Sequence, residues 1–134
     1  MEPLLIPSSP GELIDKLTIL KIKSEKILDA AKLANVRHEL DVLGAVAARA
    51  LPDLPELTQL WQDLHEINLQ LWAIEDDIRA CEARADFGPS FIELARSVYL
   101  TNDKRAEIKK VINVLLRSDM VEEKSYARPD PSAR

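Results

Sequence analysis

Three sets of side chains in this chain have types and spacings that could carry chemistry. The first is acidic. Glu75, Asp76, Asp77 and Glu82 lie close together, with Glu75 and Glu82 one heptad apart, and Glu12 and Asp15 stand three residues apart near the start. On helices such spacings put carboxylates on a common face, and a hard cation such as Mg²⁺ needs several converging carboxylate oxygens. A metal reading therefore takes Glu12, Asp15, Glu75, Asp76 and Glu82 as ligands, provided that their helices come alongside. The second set is Arg96, Asn102, Arg105 and Lys109, with Asn113 continuing the four-residue step. A helix opening near Asn102 would add free amides to these cations, a combination that suits a phosphate or carboxylate. The plainer alternative pairs Arg96 and Arg105 with Glu75 or Asp76 across a bundle. The third set is Trp61 and Trp72, 11 residues apart, which leaves them about 20° out of line after three helical turns. His65 and Asn68 fall near the same line. Rigid aromatics beside a His and an Asn suit a partner surface, whereas a bundle helix touching two neighbours needs a broad apolar face anyway.

In part, the acidic set resembles the EExxE and ExxD arrangement of all-helical MazG-like nucleotide pyrophosphohydrolases. Glu12 and Asp15 fit the ExxD element, but Glu75-Asp76 is followed by Arg79 where the last glutamate should stand. That resemblance implies Mg²⁺-dependent hydrolysis; the alternative is a solvated acidic helix face. Other chemistries lack their residues. There is no glycine-rich phosphate loop and no Cys/His pattern for zinc, and the two histidines, His38 and His65, lie on different helices with no nucleophile motif.

Helices must position all three sets. Ser9-Pro10-Gly11-Glu12 reads as a serine N-cap, a proline at the first position and a glutamate at the third. The apolar spacing predicts one helix over about 10–49, bending near Asn35 where its phase shifts. At about 1.5 Å per residue this is a rod on the order of 60 Å. Asp53-Leu54-Pro55-Glu56 opens a second helix over about 54–85, with Asp53 as its cap. In it Leu57, Leu60, Leu64, Ile67, Leu71, Ile74, Ile78 and Cys81 alternate steps of three and four, a coiled-coil-like seam that makes Cys81 a core filler. Gly88-Pro89 opens a third helical segment over about 89–117, with a break expected at Thr101-Asn102-Asp103. Residues 118–134 are mostly polar and contain Pro129 and Pro131, and a flexible tail is expected there. The predicted fold is an all-α antiparallel bundle built on a long helical hairpin, one domain over 1–117 followed by that tail.

Composition agrees with this reading. The chain has 134 residues, three glycines, 4% aromatic and 46% hydrophobic residues, and a formal net charge of -5. Residues 51–90 hold nine acidic and two basic side chains, so the negative charge is concentrated in the second helix. An acidic chain of this kind has no basic field with which to hold nucleic acid or an anionic membrane. The single cysteine excludes an internal disulfide and fits a reducing cytoplasm. MEPLLIP lacks the basic region of a signal peptide, and no apolar run approaches the roughly 20 residues of a membrane span. A rod of about 60 Å would outreach a third helical layer, so a homodimer or other homo-oligomer is expected to complete the core.

Finally, the segments PSSPGELIDKLTILKIKSEKI, LWAIEDDIRACE and FIELARSVYLTNDKRAEIKKVIN are similar to those of a small bacterial family described as a domain of unknown function. The resemblance runs from about Pro7 to Lys124 and implies an association with surface-polysaccharide or glycosyltransferase genes. It assigns no catalytic residue. The sequence thus reads as a non-enzymatic helical interaction or accessory protein without a cofactor, linked through the resemblance to envelope polysaccharide synthesis. The alternative is the Mg²⁺-dependent pyrophosphohydrolase.

Overall fold

The computed structural model describes residues 1–127. It contains four helices, α1 (Pro10–Lys26), α2 (Ala30–Ala50), α3 (Pro55–Ala83) and α4 (Pro89–Leu115), and no strand among the described residues. The all-α bundle is therefore as expected. Its first rod, however, is two helices.

The break falls at Ile27–Asp29, upstream of the bend expected near Asn35. Ile27 leaves α1 in an extended conformation, and the Asp29 side chain accepts a 2.8 Å hydrogen bond from the Lys32 amide, capping α2. Aspartate is a preferred cap because its carboxylate satisfies an amide that the helix leaves free. The apolar pattern runs through Ile27 and Leu28 without interruption and hides the break. With the rod divided, the longest helix is α3 with 29 residues, or about 44 Å, and the length argument for a second copy no longer stands.

The starts of the other helices follow their prolines. Ser9 caps α1 by accepting from the Glu12 amide at 3.2 Å. In α3 the cap position belongs to Leu54, one place later than Asp53, and no side chain bonds there; Pro55 at the first turn lacks an amide to satisfy. Between α3 and α4 the reversal is made by Ala85 at φ 52°, with the Asp86 amide donating to the Cys81 carbonyl at 2.9 Å. This is the left-handed helix end that glycine usually supplies.

α4 runs without a break through Thr101, Asn102 and Asp103. Thr101 is buried there, and tertiary packing outweighs a weak local preference for turns. Helices α1, α3 and α4 pack against one another, whereas α2 packs against α1 alone. Ile14, Leu57, Leu64 and Ile112 form the core, with Trp61, Ile108 and Leu115 packed on it. Cys81 is free and buried, as the seam predicted. No helix among the described residues is long and apolar enough to cross a membrane. Pro129 and Pro131 lie outside the described residues, but the segment after α4 brings Glu122 to Lys109 at 3.0 Å and Glu123 to Lys110 at 3.2 Å.

Candidate functional site

α1 divides the molecule into two regions of opposite character. On the side toward α3 and α4 lies a charged junction centred on Asp15, whose side chain is only 2% exposed. An isolated carboxylate in such a place would be strongly disfavoured, so it must be paired and hydrogen-bonded. Arg105 of α4 meets it with two parallel donors: Nε bonds Oδ1 at 2.9 Å and Nη2 bonds Oδ2. Asn68 of α3 donates from Nδ2 to Asp15 Oδ1 at 2.9 Å and to Thr18 Oγ1 at 2.8 Å, and the Thr18 hydroxyl donates to the Asp15 carbonyl at 2.7 Å. Lys109, one turn on from Arg105, has its Nζ 2.8 Å from Glu12, 3.0 Å from Glu122 and 3.9 Å from Asp15.

Next to this network the backbones come very close. The Gly11 amide donates to Asn113 Oδ1 at 2.8 Å, so a side chain of α4 satisfies a free amide in the first turn of α1. A Cβ on Gly11 would lie 2.6 Å from the Lys109 carbonyl and 2.9 Å from Asn113 Oδ1. Position 11 therefore requires glycine for the close approach.

The electrostatics are self-contained. The hydrogen bond to Asp15 raises the Arg105 pKa against the opposing effect of burial. For Lys109, burial is the largest single influence and lowers its pKa, but hydrogen bonds to Glu12 and Glu122 with the attraction of Asp15 outweigh it, and the net shift is upward. Both cations are thereby held charged. Three carboxylates, Asp15, Glu12 and Glu122, face these two cations, and no buried side-chain nitrogen or oxygen among the described residues lacks a partner. Chemically, the arrangement is a clasp. Both Asp15 oxygens are engaged, which leaves the carboxylate unable to act as a base or metal ligand without breaking the contact between α1 and α4.

This clasp takes members from all three sequence-derived sets. Glu12 and Asp15 were metal candidates, Asn102, Arg105 and Lys109 anion candidates, and Asn68 a partner-surface candidate. Asn102 accepts from Arg105 Nη1 at 3.4 Å. The metal constellation does not assemble: Glu75 pairs with Arg79 at 3.2 Å, Asp76 and Glu82 are exposed on α3, and no group of three or more His, Cys, Asp or Glu side chains among the described residues could hold a metal ion. The anion set is not assembled either. Arg105 and Lys109 are occupied by carboxylates, and Arg96 stands on the exposed face of α4 with Glu93 at 4.0 Å. Pairing of Arg96 or Arg105 with Glu75 or Asp76 is replaced by these contacts. Asn68 is buried in the clasp, while Trp61, His65 and Trp72 remain half-buried on α3. Sequence reasoning missed Gly11, Thr18 and Glu122. Gly11, Asp15, Thr18 and Ile22 follow steps of four, three and four, a signal that these small and polar groups share the inner face of α1; nothing in the sequence marks Glu122.

The other region is an open groove. Leu17 and Lys21 of α1 form its floor, Leu40, Gly44, Ala47 and Ala48 of α2 one wall, and Leu57, Thr58 and Trp61 of α3 the other, enclosing about 700 Å³. That volume is within the range of small-molecule and cofactor sites, about 300–1,000 Å³. A Cβ added at Gly44 would meet nothing within 4 Å. Of the aromatic pair, Trp61 lines the groove and Trp72 does not.

Fold and site together define an all-α bundle protein with a closed internal ion-pair clasp and an open apolar groove. No curated protein and no solved structure matches the chain. A family model does, over residues 5–133: the chain belongs to the family of unknown function DUF6165.

Proposed function

We propose that this protein is a non-enzymatic interaction module that holds an apolar protein segment in the groove between α1, α2 and α3. The observation that carries this reading is the contrast between the two sides of α1: no buried side-chain nitrogen or oxygen of the clasp lacks a partner, whereas the groove is mainly apolar, open and lined by Trp61. A half-exposed aromatic beside small residues gives a partner both contact area and room for its side chains. The buried, unpaired Cys81 is compatible with action in a reducing cytoplasm. The Mg²⁺-dependent hydrolase has less support, since its five carboxylates are divided between the clasp and the outer face of α3.

Trp61 emission tests the proposal. In a Trp72→Phe background, titration with Leu/Ile-rich amphipathic peptides should shift the emission saturably, and Gly44→Arg, which fills open space, should abolish the shift. Unchanged emission across the series would overturn the groove reading. Melting with Mg²⁺ and a nucleotide panel tests the hydrolase, because a ligand at 100 times its Kd stabilises by about 2.7 kcal/mol.

A further inference from the structure

We infer that the segment after α4, residues 118–124, is an electrostatic strap over the seam between α1 and α4, held shut by Glu122 on Lys109 and Glu123 on Lys110 and released as ionic strength rises. The groove plays no part in this device.

The end of α4 turns the chain back toward the seam. Arg117 is left-handed, at φ 53°, the Ser118 amide donates to the Asn113 carbonyl at 2.8 Å, and the Arg117 amide donates to the Val114 carbonyl at 3.2 Å. Ser118 then closes a tight turn: its hydroxyl accepts from the Met120 amide at 3.2 Å and donates to the Met120 carbonyl at 2.7 Å. From Lys109 to the helix end at Leu115 is about 9 Å. An extended stretch from Ser118 to Glu122 spans about 13 Å, enough to return to Lys109.

Beyond that turn the strap is held by charge. No backbone hydrogen bond among the described residues joins 119–127 to a helix. Its apolar side chains, Met120 and Val121, are 47% and 38% exposed and so anchor it weakly. Its attachments to α4 are the two ion pairs, at 3.0 and 3.2 Å, whose glutamates are 57% and 72% exposed. A pair that open shifts an equilibrium by about five-fold at most. The fixed turn keeps both carboxylates near their lysines, so closing the strap orders only a short loop. Such a balance is within reach of salt, because the Debye length falls from about 30 Å at 0.01 M to about 3 Å at 1 M.

The two pairs differ in what they cover. Lys110 lies on the outer surface, whereas Lys109 is only 12% exposed and also bonds Glu12 at 2.8 Å. An ammonium has three donors, and here one goes to Glu12 of α1 and one to Glu122 of the strap. Opening the strap gives one donor of Lys109 to water while Glu12 keeps the other. The seam is thereby loosened without being parted, and the exposure of one lysine of the clasp follows ionic strength.

Acetylation of individual lysines of the full chain with acetic anhydride, read by mass spectrometry, tests the inference, with the exposed Lys104 of α4 as internal reference. In the wild type, Lys109 should react about five-fold faster relative to Lys104 at about 1 M NaCl than at about 0.01 M. The double variant Glu122→Gln, Glu123→Gln should show the faster rate already at low salt and respond little to more. Both glutamates are exposed, and circular dichroism checks that the variant is folded. A Lys109 rate equal in wild type and variant at low salt overturns the strap. A rate that rises in the variant but not with salt in the wild type overturns its electrostatic release. A salt response that persists in full in the variant also overturns it, since that response then belongs to the Glu12 pair.

Discussion

The two faces of α1 solve opposite problems with neighbouring residues. Toward α4, Gly11, Asp15 and Thr18 bring two backbones together and neutralise a buried charge with Arg105 and Asn68. Toward α2, Leu17 and Lys21 form the floor of a recess that remains open. The difference teaches that in this molecule a buried charge joins helices, whereas the recess beside α2 is lined mainly by small and apolar residues.

The largest test of that contrast is Asp15→Ala, which leaves Arg105, Lys109 and Asn68 facing a buried void. Removing one partner of a buried pair should lower stability by about 3–5 kcal/mol, read as a fall in the urea midpoint. Replacing Asp15 and Arg105 together by Leu and Met should recover most of that loss, because the desolvation cost disappears with the charges. A full loss in the double variant would show that the pair does more than close the clasp.

One substitution made on each side sharpens the comparison. Gly11→Ala forces a Cβ against the Lys109 carbonyl and should destabilise by about 1–3 kcal/mol through overpacking. Gly44→Ala meets no neighbour and should stabilise by about 0.5–1 kcal/mol, the helix penalty of glycine relative to alanine. Thermal melting of the two variants should therefore move in opposite directions, and movement in the same direction would remove the distinction between the regions.

The smallest effect is in the pH dependence. Lys109 has a raised pKa in the folded state, so its stabilisation is fully present below the unfolded lysine value, about 10.4, and is lost as pH rises through the higher folded value. Wild type and Lys109→Met should differ by a constant amount from pH 7 to 9 and converge above that range. A partly exposed network limits the difference to about 1 kcal/mol.

Much of the fold was legible because proline and serine mark the helix starts and the α3 seam keeps its period through Leu57, Leu64 and Cys81. The Asp29 cap was not, since Ile27 and Leu28 carry the apolar pattern across it. Thr101-Asn102-Asp103 misled for the opposite reason: a local preference for turns was overridden by burial of Thr101. For the clasp, Glu12, Asp15, Asn68, Arg105 and Lys109 were all recognisable as unusual groups. Their assignment to three separate sets was wrong in grouping because spacing along one helix orders only its own face. Which face meets which depends on the register between α1 and α4, which brings Gly11 to Asn113, Asp15 to Arg105 and Glu12 to Lys109.

Because α2 rests on α1 alone and joins it through the three residues Ile27–Asp29, it can unfold without disturbing the core shared by α1, α3 and α4. Its amide hydrogens should exchange through an opening far cheaper than global unfolding. Since α2 forms one wall of the groove, each opening also removes the proposed binding surface, and the apparent Kd of an occupant would equal its intrinsic value divided by the fraction of molecules with α2 closed. Protection of the Ala30–Ala50 amides and occupancy of the groove are thus two readings of one equilibrium.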